Sequence, residues 1–119
     1  MHKFEHGFEL DTLKGLEVSN VRLARYGTHP VFSDGSTIAM EGTYVHQIGS
    51  ENCEIVQARS SRGPNELFRL PGQSVTDLAV IAPDRLKLLF SNGDALILVD
   101  DSDQYESFVI TLQGRMIVV

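Results

Sequence analysis

The chain has 119 residues, a formal net charge of −6, one cysteine and no tryptophan, with 42% of residues hydrophobic and 22% charged. This is the profile of one globular domain, able to bury roughly 65% of the surface its unfolded chain exposes. It excludes a disordered chain, a collagen and a disulfide scaffold, and the acidic balance opposes binding to nucleic acid or anionic lipid.

The start, Met1-His2-Lys3-Phe4-Glu5-His6, has no apolar signal core. Phe4, His6, Phe8 and Leu10 then share one face of an alternating segment, with Glu5 and Glu9 opposite. Leu13-Lys14-Gly15-Leu16-Glu17-Val18 follows, a Leu-x-Gly-x-x-Val pattern, and Val21 and Leu23 alternate with Arg22. Phe32-Ser33-Asp34-Gly35 reads as a hairpin with a two-residue type I′ turn, because Asp-Gly tolerates the positive φ that turn demands. Tyr44, His46 and Ile48 alternate along one strand, and Cys53, Ile55 and Gln57 along the next. Ser60-Ser61-Arg62-Gly63 reads as a loop, and Pro64 opens the best helix candidate, near residues 64–70.

The landmarks then return. Leu70-Pro71-Gly72-Gln73-Ser74-Val75 repeats the Leu-x-Gly-x-x-Val spacing at an offset of 57. Phe90-Ser91-Asn92-Gly93 repeats the hairpin signal at an offset of 58, and Leu96 and Leu98 follow it as Ile38 and Met40 follow the first. Between the landmarks, Leu78 and Val80 alternate with Asp77, and Leu86, Leu88 and Phe90 share a face. Ala95 to Val99 is apolar on both faces, which predicts a central strand. Phe108, Ile110 and Leu112 form another inward set, and Met116 to Val119 is an apolar last strand. Neither of these last apolar runs approaches the ~20 residues of a membrane helix. The expectation is one mainly β domain over residues 1–119, made of two similar halves (about 13–58 and 70–119). Each half is an antiparallel β-meander unit, and together they build a sandwich, roll or open barrel of about eight or nine strands, with at most one short helix.

Signals for chemistry are sparse. There is no nucleophile elbow and no phosphate-binding glycine loop. Cys53 reads as a small buried strand residue, and a lone free thiol fits a reducing cytoplasm. His2 and His6 lie on a strand-like segment without further ligands, and Asp100-Asp101-Ser102-Asp103 lacks the EF-hand order, so neither metal nor cofactor is predicted. Arg59, Arg62 and Arg69 read as a basic linker in an acidic chain. Glu106 is the most unusual residue. Alternation places it on the inward face with Phe108 and Ile110, where a carboxylate needs a partner such as Arg22, Arg25 or Arg69; a bulge near Ser102 to Tyr105 would instead flip the register and point it outward.

Leu70-x-Gly72-x-x-Val75, Leu86-x-Leu88-x-Phe90-Ser91-Asn92-Gly93, Leu96-x-Leu98 and Tyr105-Glu106-Ser107-Phe108 form an ordered series. The series resembles a family of small bacterial domains of unknown function, with Asn92 where that family has Asp and Phe108 where it has Trp. The resemblance implies a cytoplasmic bacterial protein with no assigned reaction, and immunity-like roles are suspected for some members.

Two functions are therefore expected from the sequence. The first is a non-catalytic protein-interaction module, expected to be a homodimer, with a protein partner and no nucleic-acid or membrane partner; the apolar end Met116 to Val119 must pair, most simply within the domain or else across a two-fold axis. The second is a small-ligand binder or minor enzyme, with Glu106, Tyr105, His46 and Tyr44 lining a pocket between the halves.

Overall fold

Ten strands among the described residues follow from these alternating segments. The computed structural model describes residues 11–24, 27–40, 42–49, 52–57, 66–82, 84–99, 108–112 and 115–118. The strands are β1 (Val18–Ala24), β2 (Gly27–Phe32), β3 (Thr37–Met40), β4 (Thr43–Ile48), β5 (Asn52–Gln57), β6 (Val75–Ala82), β7 (Arg85–Phe90), β8 (Ala95–Val99), β9 (Phe108–Leu112) and β10 (Arg115–Val118). Short 3-10 turns at Asp11–Leu13 and Glu66–Arg69 precede β1 and β6. The second is what becomes of the helix candidate near residues 64–70. The segments Phe4–Leu10, Ser60–Pro64 and Asp100–Ser107 lie outside the described residues.

All pairing is antiparallel, in two five-stranded sheets of order β1-β2-β3-β9-β10 and β5-β4-β8-β7-β6. Adding five to each strand number in one sheet gives the other, with β9 and β10 replaced by β4 and β5. Each meander therefore keeps three strands in one sheet and sends its last two to the other. Neither half can complete its own sheet. The sheets meet at an isolated bridge between Glu17 and Ser74, while β5 and β10 are the outer strands at the other side of each sheet among the described residues. Among the described residues the sheets form no closed barrel, and one apolar core lies between them. It joins Val18, Phe32, Ile38, Phe108 and Ile110 from one to Tyr44, Leu86, Leu88, Leu96 and Leu98 from the other, with Leu13, Leu67 and Leu70 at its end. β8 is central as its composition predicts, though only Leu96, Leu98 and Ala95 are buried, and Ile97 and Val99 are half-buried.

The repeated landmarks adopt the same geometry. In Leu13–Leu16 and Leu70–Gln73 the fourth N–H donates to the first carbonyl, at 3.1 and 2.8 Å. Gly15 and Gly72, third in each turn, sit at φ 85° and 89°. That is a type II turn, which requires positive φ at its third residue and favours proline at its second, where Pro71 stands. The hairpins correct the two-residue expectation. Gly35 N–H donates to Phe32 O and Phe32 N–H to Ser36 O, with the same bonds from Gly93 and Phe90. The turn is therefore centred on Ser33–Asp34 and Ser91–Asn92, and each glycine, at φ 89°, is the bulge residue of a three-residue loop. Asp34 and Asn92 instead accept from the backbone N–H two residues on, at 2.8 and 2.9 Å. Even the β-bulges coincide: pairing skips Ser19 and Thr76, and each hydroxyl donates across to Val31 O and Leu89 O.

Candidate functional site

The four residues predicted to line a pocket divide in two. Tyr105 and Glu106 lie outside the described residues. Tyr44 and His46 are two apart on β4, with both side chains buried toward the shared core. His46 is the entry to a polar cluster that the alternation pattern alone does not reveal.

The centre of that cluster is Asp94, the residue between the second hairpin loop and β8. Its side chain is fully buried, and it continues the inward-facing series of Leu96 and Leu98. Each carboxylate oxygen accepts two bonds. Oδ2 accepts from His46 Nε2–H at 2.9 Å and Arg69 Nε–H at 3.0 Å; Oδ1 accepts from Gly49 N–H at 2.9 Å and Arg69 Nη2–H at 3.1 Å. Burial alone would raise the Asp94 pKa from its ordinary value of 3.8. The hydrogen bonds from Arg69, Gly49 and His46, with the Arg69 charge, outweigh burial and bring it down to about 2. An ionised carboxylate only accepts, so the imidazole Nε2 is the protonated nitrogen.

This arrangement has part of the shape of a catalytic pair, a carboxylate orienting a histidine. The remaining parts are missing among the described residues. His46 Nδ1 is buried and has no hydrogen-bond partner, so no hydroxyl or thiol lies within its reach. The ring itself has no exposed surface for a substrate to approach. No three His, Cys, Asp or Glu side chains converge among the described residues. What the cluster does chemically is bind three elements together: β4 and the residue after it through His46 and Gly49, the 3-10 turn through Arg69, and the β7–β8 hairpin through Asp94. Arg69, read from sequence as part of a basic linker, is a donor to Asp94 on a half-exposed side chain.

The second notable surface is the outward face of the β5-β4-β8-β7-β6 sheet. Its central cross-strand row is Ile55–Val45–Ile97–Lys87–Ala79. Ile55 on the edge strand is 73% exposed and Ile81, the residue skipped by the β6–β7 pairing, is 51% exposed. Leu89 is also exposed on this face, whereas Val80, paired with Leu86, is exposed on the inward side of the edge strand; a shallow depression lined by Asp77, Leu78, Ala79, Lys87 and Leu89 adjoins the row. Single exposed aliphatics are ordinary, but a row of them on one sheet face marks a place where another surface can pack.

No helix among the described residues is long and apolar enough to cross a membrane. Comparison with family models, curated proteins and solved structures gives no match to this chain.

Proposed function

We propose that this chain is a non-catalytic protein-interaction module, cytoplasmic and built by tandem duplication of a five-strand unit. The observation that carries the reading is the largely apolar row on the outward face of the β5-β4-β8-β7-β6 sheet, which ends at β5, the edge strand among the described residues. Buried polar chemistry, by contrast, is spent inside the molecule on Asp94. The face carries both signs of charge at its β6–β7 end, Lys87 and Asp77, the latter already 3.5 Å from Lys14 of its own chain, so two copies related by a two-fold axis can share each Asp77 between its own Lys14 and the partner's Lys87. A second copy of the chain is therefore the first partner to test. An immunity-like inhibitor of a basic protein is the narrower form of this reading, resting on the net charge of −6.

Sedimentation equilibrium tests it. The wild type should form a dimer that Ile55→Lys and Ile81→Lys each weaken without loss of fold. A wild type that remains monomeric, or a dimer indifferent to both substitutions, would falsify the homodimer reading.

A further inference from the structure

The strand order raises a problem of assembly. The two halves present nearly the same surface to each other: β3 pairs with β9 as β8 pairs with β4. Turns, bulges and bridging hydrogen bonds match in the two halves. With such a relation, a first half could pair with the first half of another chain, and a second half with a second half. The product would be a dimer with the same kind of core and the wrong partners. Apolar contacts discriminate weakly here, because Ile38 and Met40 occupy the places of Leu96 and Leu98.

We propose that the His46–Asp94–Arg69 cluster is the specificity element that forces unlike halves to pair. The positions equivalent to its members differ in kind. Asp94 follows its hairpin as Ser36 follows the first, Arg69 precedes its Leu-x-Gly turn as Thr12 does, and His46 faces Leu96 as Ile110 faces Ile38. The cluster crosses between the halves: His46 and Gly49 come from the first, Asp94 and Arg69 from the second. Two second halves together would set Ile110 of one chain against Asp94 of the other. The buried carboxylate would lose the imidazole donor, which an isoleucine cannot replace. Two first halves together would set the buried His46 Nε2–H against Ser36, without a charged acceptor. Only the unlike pairing gives the buried carboxylate its imidazole donor and the imidazole a charged acceptor; Ser36 Oγ, buried without a partner of its own, offers the imidazole a neutral acceptor only, so a wrong pairing exchanges a charge-assisted buried bond for a weaker one and leaves Asp94 short of a donor.

His46→Ile isolates the effect. It makes β4 resemble β9 at this position, so the isoleucine meets Asp94 or Ser36 equally in either pairing, and Arg69 still neutralises Asp94. The readout uses the corner bridge. Ser74 faces Glu17 in the unlike pairing, whereas two second halves would bring Ser74 against Ser74 of another chain, at the close spacing of a paired bridge. In a full-length Cys53→Ser, Ser74→Cys background, refolding under oxidising conditions should leave little disulfide-linked dimer. Adding His46→Ile should raise the linked fraction about tenfold. Leu88→Ala, a core truncation inside one half, should not raise it. If His46→Ile does not refold, the triple variant Arg69→Thr, Asp94→Ser, His46→Ile gives the same reading, since those residues already fill the equivalent positions. No rise in either variant overturns the proposal, as does an equal rise with Leu88→Ala. A dimer formed through the outward sheet face does not place residue 74 against its copy, so the two questions remain separable.

Discussion

Glu17 and Ser74 meet in a single antiparallel bridge, and this is where the two sheets join. Each also receives a hairpin on its carbonyl, from Ser33 N–H at 2.8 Å and from Ser91 N–H at 2.9 Å. Both hairpin loops are therefore tied to the corner that joins the sheets. Around it, Val18 N–H donates to Gln73 O as Val75 N–H donates to Leu16 O. The corner consequently holds both type II turns, both hairpins and the first residue of both edge strands. With β4 and β5 completing one sheet and β9 and β10 the other, the core closes only when both halves are in place.

Acid should weaken this fold through Asp94. Its folded pKa lies below its ordinary value, 3.8 against about 2. A carboxylate lowered in this way contributes stability above its unfolded pKa and loses it as pH falls through the folded one. The contribution is on the order of 2 kcal/mol at neutral pH. Urea midpoints measured at successive pH values should fall between pH 4 and 2, and Asp94→Asn should flatten that part of the profile. An unchanged profile in Asp94→Asn would show that other groups govern acid unfolding.

The cluster's members should not be equal in cost. Asp94→Ala leaves the buried His46 Nε2–H without its acceptor and Arg69 without its anion, a loss of about 3–5 kcal/mol. His46→Leu leaves Asp94 with Arg69 and Gly49 still donating, so about 1–2 kcal/mol is expected. Equilibrium unfolding of both variants and of the double variant measures the order and the coupling. Equal losses would mean that Arg69 and Gly49 do not sustain the carboxylate alone.

Much of this was legible in the sequence because it is local. Leu-x-Gly-x-x-Val and Phe-Ser-Asp/Asn-Gly are turn chemistry, and the inward sets Leu86, Leu88, Phe90 and Leu96, Leu98 are period-two patterns. The exchange of β4 and β9 between sheets is not local, and nothing in residues 40–43 announces it. The cluster was hidden for the same reason. Asp94 is 48 residues from His46 and 25 from Arg69, and it follows a hairpin glycine, where a polar residue looks ordinary. Its signal lay in the repeat: alignment of the halves sets Asp94 at the place of Ser36 and ahead of two inward leucines. The type I′ assignment failed for a smaller reason. Asp34 and Asn92 use their side chains to cap the following backbone N–H, which suits the turn centre and leaves positive φ to the glycine alone.

Gly35 and Gly93 should respond alike to substitution. Both sit at φ 89°, and a Cβ at either meets no atom within 4 Å. The penalty for alanine is thus the left-handed backbone itself, about 1–2 kcal/mol at each position. Asparagine, which tolerates that region, should cost less. Denaturant unfolding of Gly35→Ala, Gly93→Ala and the two asparagine variants checks this. A penalty at one site only would mean that the hairpins, alike in hydrogen bonding, differ in strain.

Surface and core aliphatics on the same sheet should separate cleanly. Ile55 loses little water-exposed area on folding, so Ile55→Lys should change unfolding free energy by less than about 0.5 kcal/mol. Ile81, skipped by the β6–β7 pairing and half-exposed, should behave likewise. Leu88 on the opposite face has no exposed surface, and Leu88→Ala should cost about 2–5 kcal/mol through lost contacts and the cavity left behind. A large stability loss in Ile55→Lys or Ile81→Lys, measured on the isolated monomer, would mean that these side chains are covered within the chain. They would then be unavailable to a partner, and the apolar row would belong to the fold and not to recognition. Near-neutral substitutions that nonetheless abolish association would place the recognition surface on this face, because only a contact outside the monomer is then left for the lysine to disrupt.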